Sequence, residues 1–187
     1  KHCDLLAREI GAMSYRIMPA KRLFALGVGH VRRKGMEPGS KSDELAEVRK
    51  MHPMIIGVGG GTRVRHTISV ALDLGLPTGG VAQLVGAMEE ANAVLLNALL
   101  AKQGSIVMQR EHFWELPLYL ENGMLPIVIS TPPYHFWEPP AEDGPLPTHG
   151  SDFGLFILAE VLGMKKLIFV KDVDGLFDKD PNKHADA

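Results

Sequence analysis

The sequence has one cysteine, few aromatic residues and no long hydrophobic run among its 187 residues. Cys3 has no partner for an internal disulfide bond, which is the cysteine usage expected in the reducing cytoplasm. No stretch reaches about 18 uninterrupted apolar residues, so we expect no transmembrane helix and no membrane partner. Charged residues interrupt the first segment, Lys1–Ile10, and a signal peptide is therefore not expected either.

An excess of charge of either sign is also absent, since 20 Lys and Arg stand against 22 Asp and Glu. Proteins that bind nucleic acids generally are basic, so this balance speaks against a nucleic-acid partner. The hydrophobic share of 45% argues against disorder and suffices for one sizeable core, although the chain is short for two domains. Because the chain starts with Lys and ends in a polar run, we expect a single domain, residues 1–187, from a longer protein.

Strand-like and helix-like segments alternate about five times along the chain. The expected strands are Arg22–Val28, Met54–Val58, Ser105–Met108, Pro126–Ser130 and Leu167–Val170. The expected helices are Ser42–Met51, Thr62–Leu74, Val81–Gln103, His112–Asn122 and Ser151–Leu162. This alternation is typical of an α/β fold with a mainly parallel central sheet. Ligands of such sheets bind beyond the carboxyl ends of the strands, so the loops that follow strands are the candidate sites.

A run of three glycines, Gly59–Gly61, follows the second expected strand and precedes a helix that carries Arg63. Glycines let the backbone approach an anion, and the N–H groups at a helix N-terminus point towards it. The segment is neither a Walker loop nor a G-x-G-x-x-G motif. Two interpretations stay open from the residues alone, namely a phosphate or oxyanion site and a tight strand–helix turn.

An aspartate-rich segment, Lys171–Pro181 (KDVDGLFDKDP), follows the last expected strand. Asp172 and Asp174 are spaced to orient a nucleotide ribose or Mg²⁺, and Gly175 permits a turn. The alternative is an aspartate-rich turn without a ligand.

The segment Thr131–Gly150 contains six prolines and carries His135 and His149. Imidazole binds a metal through nitrogen when neutral and donates from both nitrogens when protonated. The alternative is that both histidines are ordinary loop residues. Glu89 and Glu90 lie within the long helix, where they face either a ligand cage or water, and an exposed helix face is the interpretation we favour.

Together, the glycine turn and the D-x-D-G-L-F segment resemble the amino-acid kinase superfamily, which includes uridylate, aspartate and acetylglutamate kinases. The resemblance is closer to the molybdenum storage protein family, and it covers Leu23–Pro181. It rests on four segments in the same order: RVRHTISVALDLGLP (Arg63–Pro77), the helix with Gln83 and Asn92, PPYH (Pro132–His135) and PTHGSDFG (Pro147–Gly154). The resemblance implies a three-layer amino-acid-kinase-like fold that lacks the C-terminal part of its nucleotide-binding lobe.

The resemblance also implies a function and the residues that serve it. The function is that of a cytoplasmic storage subunit that binds molybdate or tungstate oxoanion clusters in a hexameric cage of like or related subunits, with ATP and Mg²⁺ supporting loading. The implied nucleotide-binding residues are Gly27, Gly29, Gly59, Gly60, Gly61, Arg63, Lys171, Asp172, Asp174, Gly175, Phe177, Asp180 and Pro181. The implied metal-binding residues are His135 and His149, with Glu89 and Glu90 as further candidates.

One lysine of the superfamily is absent. Its first strand ends in K-x-G-G, whose lysine contacts the transferred phosphoryl group, whereas this chain has Leu26 before Gly27. Phosphoryl transfer depends on positioned positive charge, so we expect no functional kinase and assign no catalytic residue, although ATP hydrolysis coupled to metal loading stays compatible with the sequence. Two alternatives stay open, an ATP-dependent small-molecule or nucleoside-monophosphate kinase and a degenerate subunit that only builds the assembly.

Overall fold

The computed structural model describes residues 22–27, 40–142 and 144–170. Its strands form one parallel sheet in the order β3-β4-β2-β1-β5. They are β1 (Arg22–Gly27), β2 (Met54–Gly59), β3 (Ser105–Met108), β4 (Leu125–Ile129) and β5 (Lys166–Val170). The α-helices are α1 (Ser40–Met51), α2 (Gly61–Asp73), α3 (Thr78–Leu100), α4 (Leu116–Glu121) and α5 (Ser151–Val161), and Ala101–Gln103 and Arg110–Glu115 are 3₁₀ turns. The expected α/β fold with a parallel sheet is confirmed.

Several helix boundaries differ from the sequence prediction, and proline explains two of the differences. α3 begins at Thr78, three residues early, because Pro77 at its N-cap has an extended backbone that ends the preceding turn. The helix expected at His112–Asn122 is a 3₁₀ turn followed by the short α4. Pro117 lies in the first turn of α4, where its missing N–H costs no helical hydrogen bond.

The two faces of the sheet are covered by different helices, which gives three layers. α3 packs on one face, where Ala93 and Leu96 meet Ile56 and Ile127. α4 and α5 pack on the other face, in a cluster that includes Ile55, Leu116, Val128, Leu155 and Leu158. Side chains alternate between the faces of a strand, so consecutive residues of β2 belong to different cores.

The strand order places a crevice at the carboxyl ends of β2 and β4. These strands are neighbours, but the chain leaves β2 through α2 and α3 towards one edge of the sheet and leaves β4 through α5 towards the other. The two connections lie on opposite faces, so the loops diverge above the sheet. This position is where open α/β sheets bind their ligands.

Among the described residues, one helical segment, Thr78–Gln103, is long and apolar enough to cross a membrane by length and composition alone. Such a single helix is weak evidence for a span, because core helices pass the same test. Here the inner face of α3 packs against β2 and β4, as a core helix does.

Candidate functional site

The glycine turn lies at the carboxyl end of β2 and leads directly into α2. Gly59 is the last residue of β2, and Gly61 opens α2 with a φ of 67°, a conformation that residues with a side chain rarely adopt. Gly59 is also paired in register with Gly27 at the end of β1. Glycines therefore form the carboxyl ends of two neighbouring strands, and nucleotide binding at them stays a prediction.

Asn92 of α3 is hydrogen-bonded to this glycine turn. Its side-chain amide donates to the carbonyl oxygens of Gly59 at 2.8 Å and Gly60 at 3.1 Å. The guanidinium of Arg63 donates to the side-chain oxygen of Asn92, which fixes the orientation of the amide. Asn92 is buried, so its amide depends on these carbonyl groups for its hydrogen bonds. The turn is thus tied to α3 through its carbonyl side.

Glu89, one turn earlier on α3, forms hydrogen bonds with the residues that follow β4. One carboxylate oxygen accepts the backbone N–H groups of Ser130 at 2.9 Å and Thr131 at 2.7 Å. The other oxygen accepts the hydroxyl of Thr131 at 2.9 Å and that of Ser151, the first residue of α5. The Ser130 hydroxyl in turn donates to the carbonyl of Val58 in β2 at 2.7 Å. One carboxylate therefore joins α3, β4 and α5 at the crevice.

Glu89 is fully buried, so the expectation of an exposed helix face is wrong for this residue. Burial raises its pKa above the ordinary value, and the hydrogen bonds from Ser151, Thr131 and Ser130 oppose that increase without cancelling it. A pattern in the sequence points to the burial: Val85, Glu89, Asn92 and Leu96 are spaced four, three and four residues apart, so they share one helix face. Glu90 is half-buried and accepts a hydrogen bond from the side chain of Gln109.

The proline-rich loop, residues 131–150, holds its two histidines differently. The backbone N–H of His149 donates to the Tyr134 hydroxyl at 3.0 Å, and the His149 ring stacks on Phe153 with centroids 4.1 Å apart. The side chain of His135 is exposed, whereas its carbonyl oxygen accepts the N–H of Glu138 at 2.9 Å. His149 is therefore fixed beside the start of α5, and the His135 ring projects from a braced backbone.

The first residues of α3 press against this loop. The Thr78 hydroxyl donates to the carbonyl of Pro145 at 3.1 Å. A side chain at Gly79 would place its Cβ 1.7 Å from the carbonyl oxygen of His135, so only glycine fits there. Together with Glu89, these contacts anchor the loop to α3 at its start, near His135 and near its end.

The described residues contain no group of three or more His, Cys, Asp or Glu side chains that could hold one metal ion. His135, His149, Glu89 and Glu90 thus do not form a single-ion centre, and both oxygens of Glu89 already accept hydrogen bonds from the protein. A metal ligand role for them stays a prediction. Other predicted site residues lie outside the described residues: Gly29, Lys171, Asp172, Asp174, Gly175, Phe177, Asp180 and Pro181.

Known proteins are similar to this chain along most of its length. The sequence profile of the amino acid kinase family matches residues 40–187. The chain is 39% identical over 185 residues to the molybdenum storage protein subunit beta of Azotobacter vinelandii, covering 98% of this chain and 68% of that protein. It is 31% identical over 148 residues to the uridylate kinase of Methanobrevibacter smithii, covering 78% of this chain and 58% of that protein.

Solved structures share the fold. The uridylate kinase from Archaeoglobus fulgidus has a TM-score of 0.68 at 19% identity, covering 89% of this chain and 70% of that one. The UMP kinase from Bacillus anthracis has a TM-score of 0.62 at 20% identity, covering 90% and 72%. At such identities the likeness establishes the architecture and leaves the chemistry to the site residues.

Proposed function

Because this chain belongs to the amino acid kinase family and is a homologue of the molybdenum storage protein subunit beta, we propose that it is a storage subunit that binds molybdate or tungstate as oxoanion clusters. The observation that carries this proposal is the 39% identity to that subunit, which extends over 98% of the chain. Metal oxyanions are the cargo of such a protein, and we propose that it acts in the cytoplasm.

The braced loop that carries His135 and His149 supports this function. An oxoanion cluster presents many oxygen atoms, and imidazolium donates hydrogen bonds from both ring nitrogens. The stacked ring of His149 and the anchored backbone of His135 lower the entropy lost when the loop binds an anion. Several copies of this loop in one cage would supply the donors that a cluster requires.

We propose that ATP binds at the glycine turn and supports loading. The N-terminus of α2, with Gly59–Gly61 and Arg63, offers backbone N–H groups and a positive charge to phosphate. Gly27 pairs in register with Gly59, so a second glycine stands at the end of the neighbouring strand. Asp172 and Asp174 are proposed to hold Mg²⁺ or the ribose, as the D-x-D-G motif suggests.

A uridylate-kinase-like activity is the second candidate, and the identity of 31% to the uridylate kinase of Methanobrevibacter smithii favours it. Leu26 speaks against it, because a neutral side chain stands where the superfamily has the lysine that contacts the transferred phosphoryl group. We therefore rank storage first, in a hexameric cage of like or related subunits.

The test is to load the purified chain with molybdate or tungstate, remove free oxyanion and count bound metal by elemental analysis. We expect many metal atoms per wild-type chain and a marked loss in His149→Ala and His135→Ala. His52→Ala is the matched control, because His52 precedes the amino end of β2, at the opposite edge of the sheet from the loop, and this variant should bind as the wild type does. Equal loading and retention in all four proteins would overturn the assigned histidine roles, and no loading of any of them would overturn storage.

A further inference from the structure

Two backbone N–H groups, those of Ser130 and Thr131, follow β4 at the crevice. The next two residues, Pro132 and Pro133, have no N–H group to donate. Backbone N–H groups beyond the carboxyl end of a strand are the donors that oxyanions use in open α/β sheets. The hydroxyl groups of Thr131 and of Ser151, the first residue of α5, lie beside them. Four donors therefore converge at the end of β4.

The carboxyl group of Glu89 accepts hydrogen bonds from all four of these donors. One of its oxygen atoms accepts the two N–H groups, and the other accepts the two hydroxyl groups. Burial raises the pKa of Glu89, whereas these four hydrogen bonds lower it, so the donors favour a negative charge beside them. Glu89 is fully buried, and Ser130 and Thr131 are each 3% exposed. A ligand that enters the crevice therefore finds these donors already bound by the protein.

Other polar groups at the end of β4 are bound within the protein as well. The Ser130 hydroxyl donates to the Val58 carbonyl at 2.7 Å, and the Arg110 guanidinium donates to the Thr131 carbonyl at 2.5 Å. A Cβ atom at Gly154 of α5 would lie 1.8 Å from the Ser130 carbonyl oxygen, so α5 packs directly on this backbone. Packing and hydrogen bonds together close the end of β4.

The same helix supports the end of β2 in the opposite way. Asn92 donates to the carbonyl oxygens of Gly59 and Gly60, so it binds the acceptors of the glycine turn and not its N–H groups. Within the part of the chain that the structure describes, no side-chain hydrogen bond caps the start of α2. α3 thus presents an acceptor to β4 and a donor to β2, which are neighbouring strands. The two strand ends therefore differ in the donors they offer to an anion.

We propose that Glu89 is a specificity-determining residue, whose carboxyl group closes the end of β4 to free oxyanions such as phosphate and molybdate. Phosphate that enters the crevice then binds at the end of β2. A nucleoside-monophosphate kinase must hold two phosphate-bearing substrates at once, whereas this crevice, as far as it is described, has one uncapped strand end. Glu89 therefore argues against kinase activity independently of Leu26. The role of β2 rests on the proposed ATP site, but the closure of β4 does not.

Complementation with formate tests the closure. Glu89→Ala removes the carboxyl group and leaves four donors without their acceptor, next to a space that a small carboxylate can fill. We expect about 100 mM sodium formate to raise the melting temperature of this variant by about 3 °C more than the same concentration of sodium chloride does. Equal shifts in the two salts would overturn the proposal.

Two variants serve as controls for this experiment. Glu89→Gln keeps the space filled, so formate and chloride should change its melting temperature alike, as they should for the wild type. Glu121→Ala removes an exposed carboxylate from the end of α4, and formate should give it no specific gain either. A gain from formate in either control as large as that in Glu89→Ala would contradict the assignment to the end of β4.

Phosphate titration of the wild type tests the closure without a variant, and so also covers a Glu89→Ala chain that does not fold. In amide NMR spectra, inorganic phosphate should leave the signals of Ser130 and Thr131 in place, because Glu89 occupies both N–H groups. Movement of these two signals in the wild type would overturn the proposal. The signals of Gly60 and Gly61 report separately on the proposed ATP site, so a lack of response there contradicts that site and not the closure of β4.

Discussion

At the residue scale, Glu89 is a carboxylate that four protein donors surround and that burial makes harder to ionise. Its pKa is raised above about 4.5, so the folded protein holds this proton more tightly than the unfolded chain does. The stabilisation that follows is fully present below the unfolded pKa and is lost as the pH rises through the folded pKa. Glutamine has nearly the same shape as glutamic acid but carries no proton that titrates in this pH range.

We therefore expect the free energy of unfolding of the wild type to fall, relative to that of Glu89→Gln, as the pH rises from about 4.5 to neutrality. Urea denaturation at several pH values measures this difference. Glu121→Gln, at the exposed end of α4, removes the same formal charge without burial and is the control. A difference between wild type and Glu89→Gln that stays constant with pH, or grows in the other direction, would contradict the assignment.

Asn92 offers a second test at this scale. Asn92→Asp replaces the amide that donates to Gly59 and Gly60 with a group that only accepts, which leaves two carbonyl oxygens facing another acceptor. We expect a loss of at least about 1–3 kcal/mol in the free energy of unfolding, together with weaker ATP binding. Asn122→Asp is the control, because that side chain bonds to an exposed carbonyl at the end of α4. A free energy of unfolding equal to that of the wild type would contradict the proposed role of Asn92 in supporting the glycine turn.

The sequence locates the residues of this site unevenly. The glycine turn is predictable because glycines between a strand and a helix leave few alternatives. The partners of Glu89 are not, because Ser130, Thr131 and Ser151 reach it only after β4 and α5 have packed beside α3. No sequence pattern identifies the hydroxyl and backbone N–H groups that will donate to Glu89. The burial of Glu89 itself is predictable, because its spacing from Leu96 places both residues on one helix face.

At the element scale, the contact between α3 and the proline-rich loop depends on Gly79. Gly79→Ala gains intrinsic helix propensity of about 1 kcal/mol, but its methyl group would lie 1.7 Å from the His135 carbonyl oxygen. The loop backbone must move, and we expect a net loss of about 1–3 kcal/mol in the free energy of unfolding. Gly86→Ala on the same helix meets only the tip of Arg110 at 3.3 Å and should be tolerated. Thermal melts of Gly79→Ala and Gly86→Ala compare their losses of stability. Equal melting temperatures would contradict a close contact between Gly79 and the His135 carbonyl group.

The boundaries of the strands were more predictable than those of the helices. The strands follow apolar runs closely, since each begins and ends within one residue of its expected position. The helix expected at His112–Asn122 was wrong in its first half, where the chain forms a 3₁₀ turn. Proline at position 117 favours the start of an α-helix there, and helical periodicity alone does not reveal where that start falls.

At the scale of the whole molecule, the alternation of strands and helices predicts the fold class but not the order of the strands. β1 pairs with β5, a partner more than a hundred residues away in sequence, and no local pattern encodes that choice. The strand order also decides which loops meet. The sequence predicts that a ligand site lies at the carboxyl ends of strands, but only the structure shows that the crevice lies between β2 and β4.

Leu26 leads to a prediction about the molecule as an enzyme. With ATP, Mg²⁺ and UMP, we expect turnover near background, below the rate of about 1 s⁻¹ at which kinases typically begin. A coupled assay measures it, with the uridylate kinase of Methanobrevibacter smithii as the positive control. Turnover within the usual kinase range would restore the kinase interpretation.

The hydrogen bonds of the crevice have a consequence for how the chain acquires its site. The bond from Ser130 to Val58 spans 72 residues, and the bond from Ser151 to Glu89 spans 62. Contacts between such distant residues form only after long loops have closed, so they have no local precursor early in folding. The hydrogen-bonded geometry of the crevice therefore does not exist in a nascent chain until α5 has left the ribosome. Conversely, detachment of α3 alone would dismantle the support of the glycine turn and the anchor of the proline-rich loop in one event.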